Sequence, residues 1–248
     1  MDAGNRQFSH APTIGTLASV VLVVLSAVPF WIGLHVAMPS LIARGVRPTL
    51  VFLPAVMLPL LSLGAAAFAM GVYERRRAAW SGWRARLRLR RMTAADVRWT
   101  AVGVAVILAG YFGLGATSEW LESHFFAPPA VFSSLVTDTE FLGFRRAGNW
   151  WVVGLHACVV AVNVLCEELW FRGMIFPLQE ARWGNRAWLI HGLSYHAFHM
   201  FYPWDAIRLL PESLAYGFVA QRTKNTWTCI VMHSALNGIG VVLSGLAV

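Results

Sequence analysis

From about Ile14 to Met38 the chain runs without a single Asp, Glu, Lys or Arg, and a second such run extends from about Thr49 to Tyr73. A stretch of roughly 20 apolar residues crosses the hydrocarbon core as a helix, the form in which a lone segment pairs all its backbone polar groups internally. These two runs therefore commit the chain to a bilayer. The first is too long for the apolar core of a secretory signal, and only Asp2 and Arg6 precede it as charges. Composition agrees: charged residues make up 13% of the 248, where soluble domains carry roughly 25%. The 12 Trp and 15 Phe suit a protein with two membrane–water interfaces. At about 20 residues per span, the expectation is an all-α polytopic membrane helix bundle of about seven helices, within bounds of six to eight, forming a single membrane domain over 1–248.

The later spans are expected at about Thr100–Gly115, Trp150–Leu178, Ala187–Phe201, Glu212–Ala220 and Thr226–Val248. A mixed loop, Ser118–Asn149, separates the third from the fourth. The fifth and sixth are short, so one of them could be re-entrant. Between Arg75 and Arg98 lie nine arginines. Loops on the cytoplasmic side concentrate such residues, so the net charge of +8 is read as a topology signal, with no nucleic-acid partner. The segment Glu74–Trp99, alternating Arg with Trp83, Leu87, Leu89 and Met92, is expected to lie as an amphipathic stretch on the anionic leaflet, in contact with membrane lipids. With that segment cytoplasmic, the N-terminus and the basic turns Gln179–Arg186 and Gln221–Asn225 fall on the same side, whereas Arg44/Arg47 and Arg145/Arg146 dissent. The expected location is a bacterial inner (cell) membrane. Cys158, Cys166 and Cys229 stand in apolar runs without CxxC spacing and read as small core residues.

Two adjacent carboxylates inside an apolar helix, Glu167 and Glu168, are the feature that asks for a function. An ionisable group near the bilayer centre costs about 2.5–3.5 kcal/mol on insertion scales. Glu168 and Arg172 stand four apart on one helix face and can pair. Glu167 points about 100° away and is left to titrate. Of eight histidines, His10, His35, His124 and His156 have nothing nearby to recommend them. His233 and Asn237 share a helix face, as do His191, Tyr195 and His199. At 1.5 Å per residue, Glu167, His199 and His233 come to roughly 16, 18 and 10 Å from the basic ends of their helices, a common level.

The ordered set Glu167-Glu168-x-x-x-Arg172, Tyr195-x-x-x-His199 and His233-x-x-x-Asn237 resembles the CAAX prenyl protease and bacteriocin-processing family of membrane endopeptidases, whose pattern is EExxxR, FxxxH and HxxxN or HxxxD on successive helices. The likeness covers about Trp150–Val248, so that 150–248 would hold the catalytic helices. Tyr195 stands where the family usually has Phe, and His196 competes with His199, although Gly192 is its fourth preceding residue. The resemblance implies an intramembrane endopeptidase acting on a membrane-anchored or lipidated peptide or protein. Glu167 would be the general base for a water, His199 would position that water, and His233 and Asn237 would donate to the oxyanion. Glu168 and Arg172 would support them. A Glu/His/His set could also hold zinc, but no HExxH occurs, and a mechanism without cofactor or metal is preferred. The competing class is a proton-coupled transporter or scaffold using the same residues as a relay; the broken helices and inverted repeats of transporters are not evident.

Overall fold

The computed structural model describes residues 16–77, 82–129 and 139–246. The first rod comprises α1 (Thr16–Ile32), a wide π-helical turn (Gly33–Ala37) and α2 (Met38–Ala43). The chain turns through Gly45, whose φ of +83° suits a residue without Cβ, and returns as α3 (Pro48–Phe52), a second π turn (Leu53–Met57) and α4 (Leu58–Arg77). Pro39 and Pro59 lack the N–H that would reach the carbonyls of His35 and Ala55. Each wide turn lies over the bond so removed. Leu25, Leu50, Leu58, Leu61 and Phe68 on these rods are exposed, as lipid-facing positions should be.

A short α5 (Trp83–Arg86) leads to α6 (Ala94–Gly113), which starts at a reciprocal Thr93/Asp96 capping box. Then follow α7 (Gly115–His124) and a two-stranded antiparallel ribbon, β1 (Glu140–Phe141) and β2 (Phe144–Arg145). The C-terminal part is α8 (Trp150–Glu168), a third π turn (Leu169–Ile175), α9 (Phe176–Trp183), α10 (Ala187–Phe198), α11 (Ala206–Thr223) and α12 (Thr226–Leu246). Helix α10 packs on α1 and α11, α11 on α6, and α12 on α6 and α8, while α8 also meets α4. Gly192 and Gly217 make the α10–α11 contact close: a Cβ at Gly217 would stand 2.4 Å from the Trp188 carbonyl oxygen, and one at Gly192 would stand 3.0 Å from Cα of Leu214. Such small residues let membrane helices approach backbone to backbone.

The fold is an all-α polytopic bundle and the protein is an integral membrane protein. Among the described residues, five stretches are long and apolar enough to cross a membrane: Leu17–Ala43, Pro48–Glu74, Ala94–Gly113, Trp150–Phe201 and Thr226–Leu246. The seven helices expected from sequence divide Trp150–Phe201 in two and add α11. Several boundaries differ. Helix α11 begins six residues before the expected Glu212, because Pro211 sits inside it rather than at its start. The rod carrying Glu167 continues to Trp183 instead of stopping at Leu178, and Ser118 lies within α7 rather than in a loop. His10 falls outside the described residues.

The basic segment is the largest departure. Instead of an amphipathic stretch resting on the leaflet, part of it is built into the protein: Arg86, Leu87 and Arg88 are buried. Arg86 pairs with Glu74, and its Nη1 and Nη2 donate to the carbonyls of Gly173 (2.8 Å) and Met174 (3.2 Å). The cause lies in α9: Pro177 has no N–H for the Gly173 carbonyl four residues back, and Arg86 supplies the donor. Arg88 binds Glu180 at 2.6 Å, Lys224 pairs with the same carboxylate, and Arg90 joins Asp96 to the Thr223 carbonyl. The three basic turns thus meet at one end of the bundle. At the other end, the Thr49 hydroxyl donates to the Leu142 carbonyl in the ribbon.

Candidate active site

Glu167 occupies the last turn of α8 and is 3% exposed. Both of its oxygens accept hydrogen bonds: Oε1 from Asn163 Nδ2 at 2.7 Å and Oε2 from the Tyr195 hydroxyl at 2.8 Å. Asn163 Oδ1 in turn accepts from Asn237 Nδ2 at 2.8 Å. A chain of donors therefore runs from α12 through α8 to the carboxylate, with α10 closing it from the far side. An amide carries two N–H groups, so Asn237 keeps one beyond the bond to Asn163.

Glu168 points away from Glu167, as their one-residue spacing requires. Its Oε1 accepts from Arg172 Nη1 at 3.1 Å and contacts His233 Nδ1 at 2.9 Å. The expected Glu168–Arg172 pair is present, and it extends to His233. The Arg172 guanidinium lies 3.8 Å from the Tyr195 ring centroid and 4.4 Å from that of Tyr216, a cation held between two aromatic faces. Tyr195, through its hydroxyl and its ring, touches both carboxylate systems.

His199 follows α10 in a single 3-10 turn. Its Nδ1 lies 3.0 Å from the Tyr195 carbonyl, so Nδ1 carries the proton and Nε2 the lone pair. Its ring rests edge-on against the Tyr195 ring at 4.5 Å. His196 is half-buried, and among the described residues its Nδ1 has no partner and no contact ties it to Glu167. His191 binds Gln179 at 2.7 Å and His156 binds Ser244 at 2.8 Å, both as buried packing residues. His35 contacts the Phe201 carbonyl at 2.8 Å, which ties the first rod to the turn behind His199.

All six expected residues thus belong to one neighbourhood. Glu167 is reached through Tyr195 and Asn163, Asn237 through Asn163, and His233 through Glu168. Sequence reasoning passed over Asn163, although its place four residues before Glu167 puts it on the same face. It took Tyr195 as a motif position only, and overlooked Tyr216, whose ring is 5.7 Å from that of His233. Among the described residues no group of three or more His, Cys, Asp or Glu side chains is gathered to hold a metal ion.

Residues 148–239 match the family model described as type II CAAX prenyl endopeptidase Rce1-like. The matched segment contains the whole network from Asn163 to Asn237. No curated protein and no solved structure matched the chain.

Proposed function

We propose that this chain, whose segment 148–239 matches the type II CAAX prenyl endopeptidase Rce1-like family model, is an intramembrane endopeptidase that hydrolyses a peptide bond in a prenylated or otherwise membrane-associated protein. The observation that carries this reading is the buried Glu167 carboxylate, held by donors from two helices and joined through Asn163 to a third.

In this mechanism Glu167 takes a proton from a water poised against the scissile carbonyl. The Tyr195 and Asn163 bonds fix the carboxylate's direction, so little reorganisation is needed as the proton moves. His199, its Nδ1 committed to a backbone carbonyl, offers Nε2 as the acceptor that orients the same water. Charge then develops on the carbonyl oxygen. The second N–H of Asn237 and Nε2–H of a protonated His233, whose Nδ1 faces Glu168, stabilise it. Glu168 and Arg172 hold His233 and Tyr195 in register. No metal enters any of these steps. The substrate would arrive by its lipid or membrane anchor, and the basic end of the bundle would face the cytoplasm of a bacterial cell, with the N-terminus on that side.

The test uses the full chain in detergent and an internally quenched farnesylated peptide ending in a CAAX sequence. Glu167→Gln preserves a hydrogen-bonding partner for Tyr195 but cannot take a proton. Wild type should cleave, and Glu167→Gln should fall at least about 100-fold, the lower range for loss of a general base, with unchanged melting temperature. Equal rates would refute the assignment of Glu167.

A further inference from the structure

Helix α11 brings a third carboxylate to this site that neither the motifs nor the mechanism above employs. Glu212 is 8% exposed, and its Oε2 has no hydrogen-bond partner among the described residues. No ion pair to it is found among those residues, and Arg172 is already paired with Glu168. One turn further along the same face stands Tyr216, whose buried hydroxyl is directed toward the Glu212 carboxyl. The Tyr216 ring touches the core of the site: its centroid is 5.9 Å from Tyr195 and 5.7 Å from His233.

Level and charge point the same way. At 1.5 Å per residue Glu212 stands about 16 Å from the Thr223 end of α11. Tyr195 and His199 stand about 13 and 20 Å from the Arg186 end of α10, and the two helices run side by side through the Gly192–Gly217 contact. Glu212 therefore lies level with the turn that holds Tyr195 and His199. Its carboxyl is within electrostatic range of His233, Arg172 and Glu167. Three carboxyls, Glu167, Glu168 and Glu212, face one guanidinium and one imidazole in a buried space. An unpaired buried carboxylate is costly, and neutralisation by a proton relieves the excess.

We propose that Glu212 is the proton donor to the leaving amine, a second catalytic carboxyl partnered with Glu167. This rests on the peptidase reading above. Water's oxygen bonds to the carbonyl carbon, and its proton passes to Glu167. As the C–N bond breaks, the nitrogen takes the pair and receives the Glu212 proton. The products are a carboxylic acid and an amine. The proton on Glu167 then returns to Glu212 through water, restoring both groups. The charged and titratable groups around Glu212 are Glu167 and Arg172 from α8 and its π turn, Tyr195 from α10, His233 from α12, and, four residues to either side on its own helix, Tyr216 and Arg208, the latter paired with Asp205. Helix α6, packed on the other face through Gly110 against Pro211, brings Tyr111, whose ring and carbonyl hold the Arg208 guanidinium.

Two readouts on the full chain in detergent test this. The first needs no substrate: the infrared carbonyl stretch of a protonated buried carboxyl should be present in wild type near neutral pH and lost in Glu212→Gln, while Glu180→Gln keeps it. The second is cleavage of the farnesylated peptide across pH. Glu212→Gln should lower kcat about 100-fold or more with little change in KM, the scale of a lost general acid. Wild-type activity should fall on the alkaline side as Glu212 loses its proton, and that limb should vanish in Glu212→Gln. Glu212→Asp, which keeps a carboxyl, should retain partial activity and the alkaline limb. An unchanged infrared band, or a Glu212→Gln enzyme with wild-type kcat and an intact alkaline limb, would overturn the proposal. If wild type cleaves nothing, the peptidase reading fails, and the infrared band still decides whether Glu212 holds a proton.

Discussion

Two buried Arg–Glu pairs flank the π turn after Glu168, and they are built to opposite standards. In the Glu74–Arg86 pair each guanidinium nitrogen donates, to the carboxylate or to the carbonyls of Gly173 and Met174. In the Glu168–Arg172 pair Arg172 Nε and Nη2 and Glu168 Oε2 have no partner among the described residues, and Glu168 Oε1 is shared with His233. Both pairs are nearly inaccessible. Burial alone does not separate them; satisfaction does. A saturated pair repairs the backbone that Pro177 leaves unpaired. A pair with hydrogen-bonding capacity in reserve belongs beside chemistry, where charge and partners change during a reaction.

Removing one member of either pair gives the largest expected effect. Glu74→Ala and Glu168→Ala should each cost about 3–5 kcal/mol of stability by leaving a buried guanidinium uncompensated, read as a fall in melting temperature in detergent. Apolar double replacements then separate the two. Glu74→Leu with Arg86→Met should regain part of the stability and restore cleavage toward wild type, because only the backbone carbonyls stay unpaired. Glu168→Leu with Arg172→Met should regain stability yet remain inactive, since His233 loses its partner. Recovery of cleavage by the second double variant would erase the distinction drawn between the pairs.

A smaller effect is expected at the edge of the network. Asn237→Leu removes the proposed oxyanion donor and the partner of Asn163, so kcat should drop by about 3 kcal/mol of transition-state stabilisation, near 100-fold. Asn237→Asp, in keeping with the HxxxD variants of the family this segment resembles, should retain part of the rate. Stability should change little in both, because Asn237 is only partly buried. A melting temperature that falls in step with the rate would recast Asn237 as a packing residue.

The membrane class, the helix order and the Glu168–Arg172 pair were legible in the sequence because they rest on local physics: apolar length, arginine placement and the four-residue helical step. The hydrogen bond from Tyr195 to Glu167 joins residues 28 apart in the chain, and no periodicity reports which two faces will meet. Glu212 escaped because Pro211 looks like a helix start, whereas in a membrane helix a proline is tolerated internally. Arg86 escaped for a related reason. Amid nine arginines nothing local marks the one that must fill a gap opened by a proline 91 residues later.

The central claim is that a water activated at Glu167 cleaves the peptide without a bound metal. Its most direct measurement is mass spectrometry of the product formed from the farnesylated peptide in heavy-oxygen water by protein stripped with a strong chelator. One heavy oxygen should enter the new carboxyl group at the untreated rate, and Glu167→Gln should yield no labelled product above background. Loss of cleavage on chelation, with recovery when stoichiometric zinc is restored, would contradict the account and make His199 and His233 metal ligands.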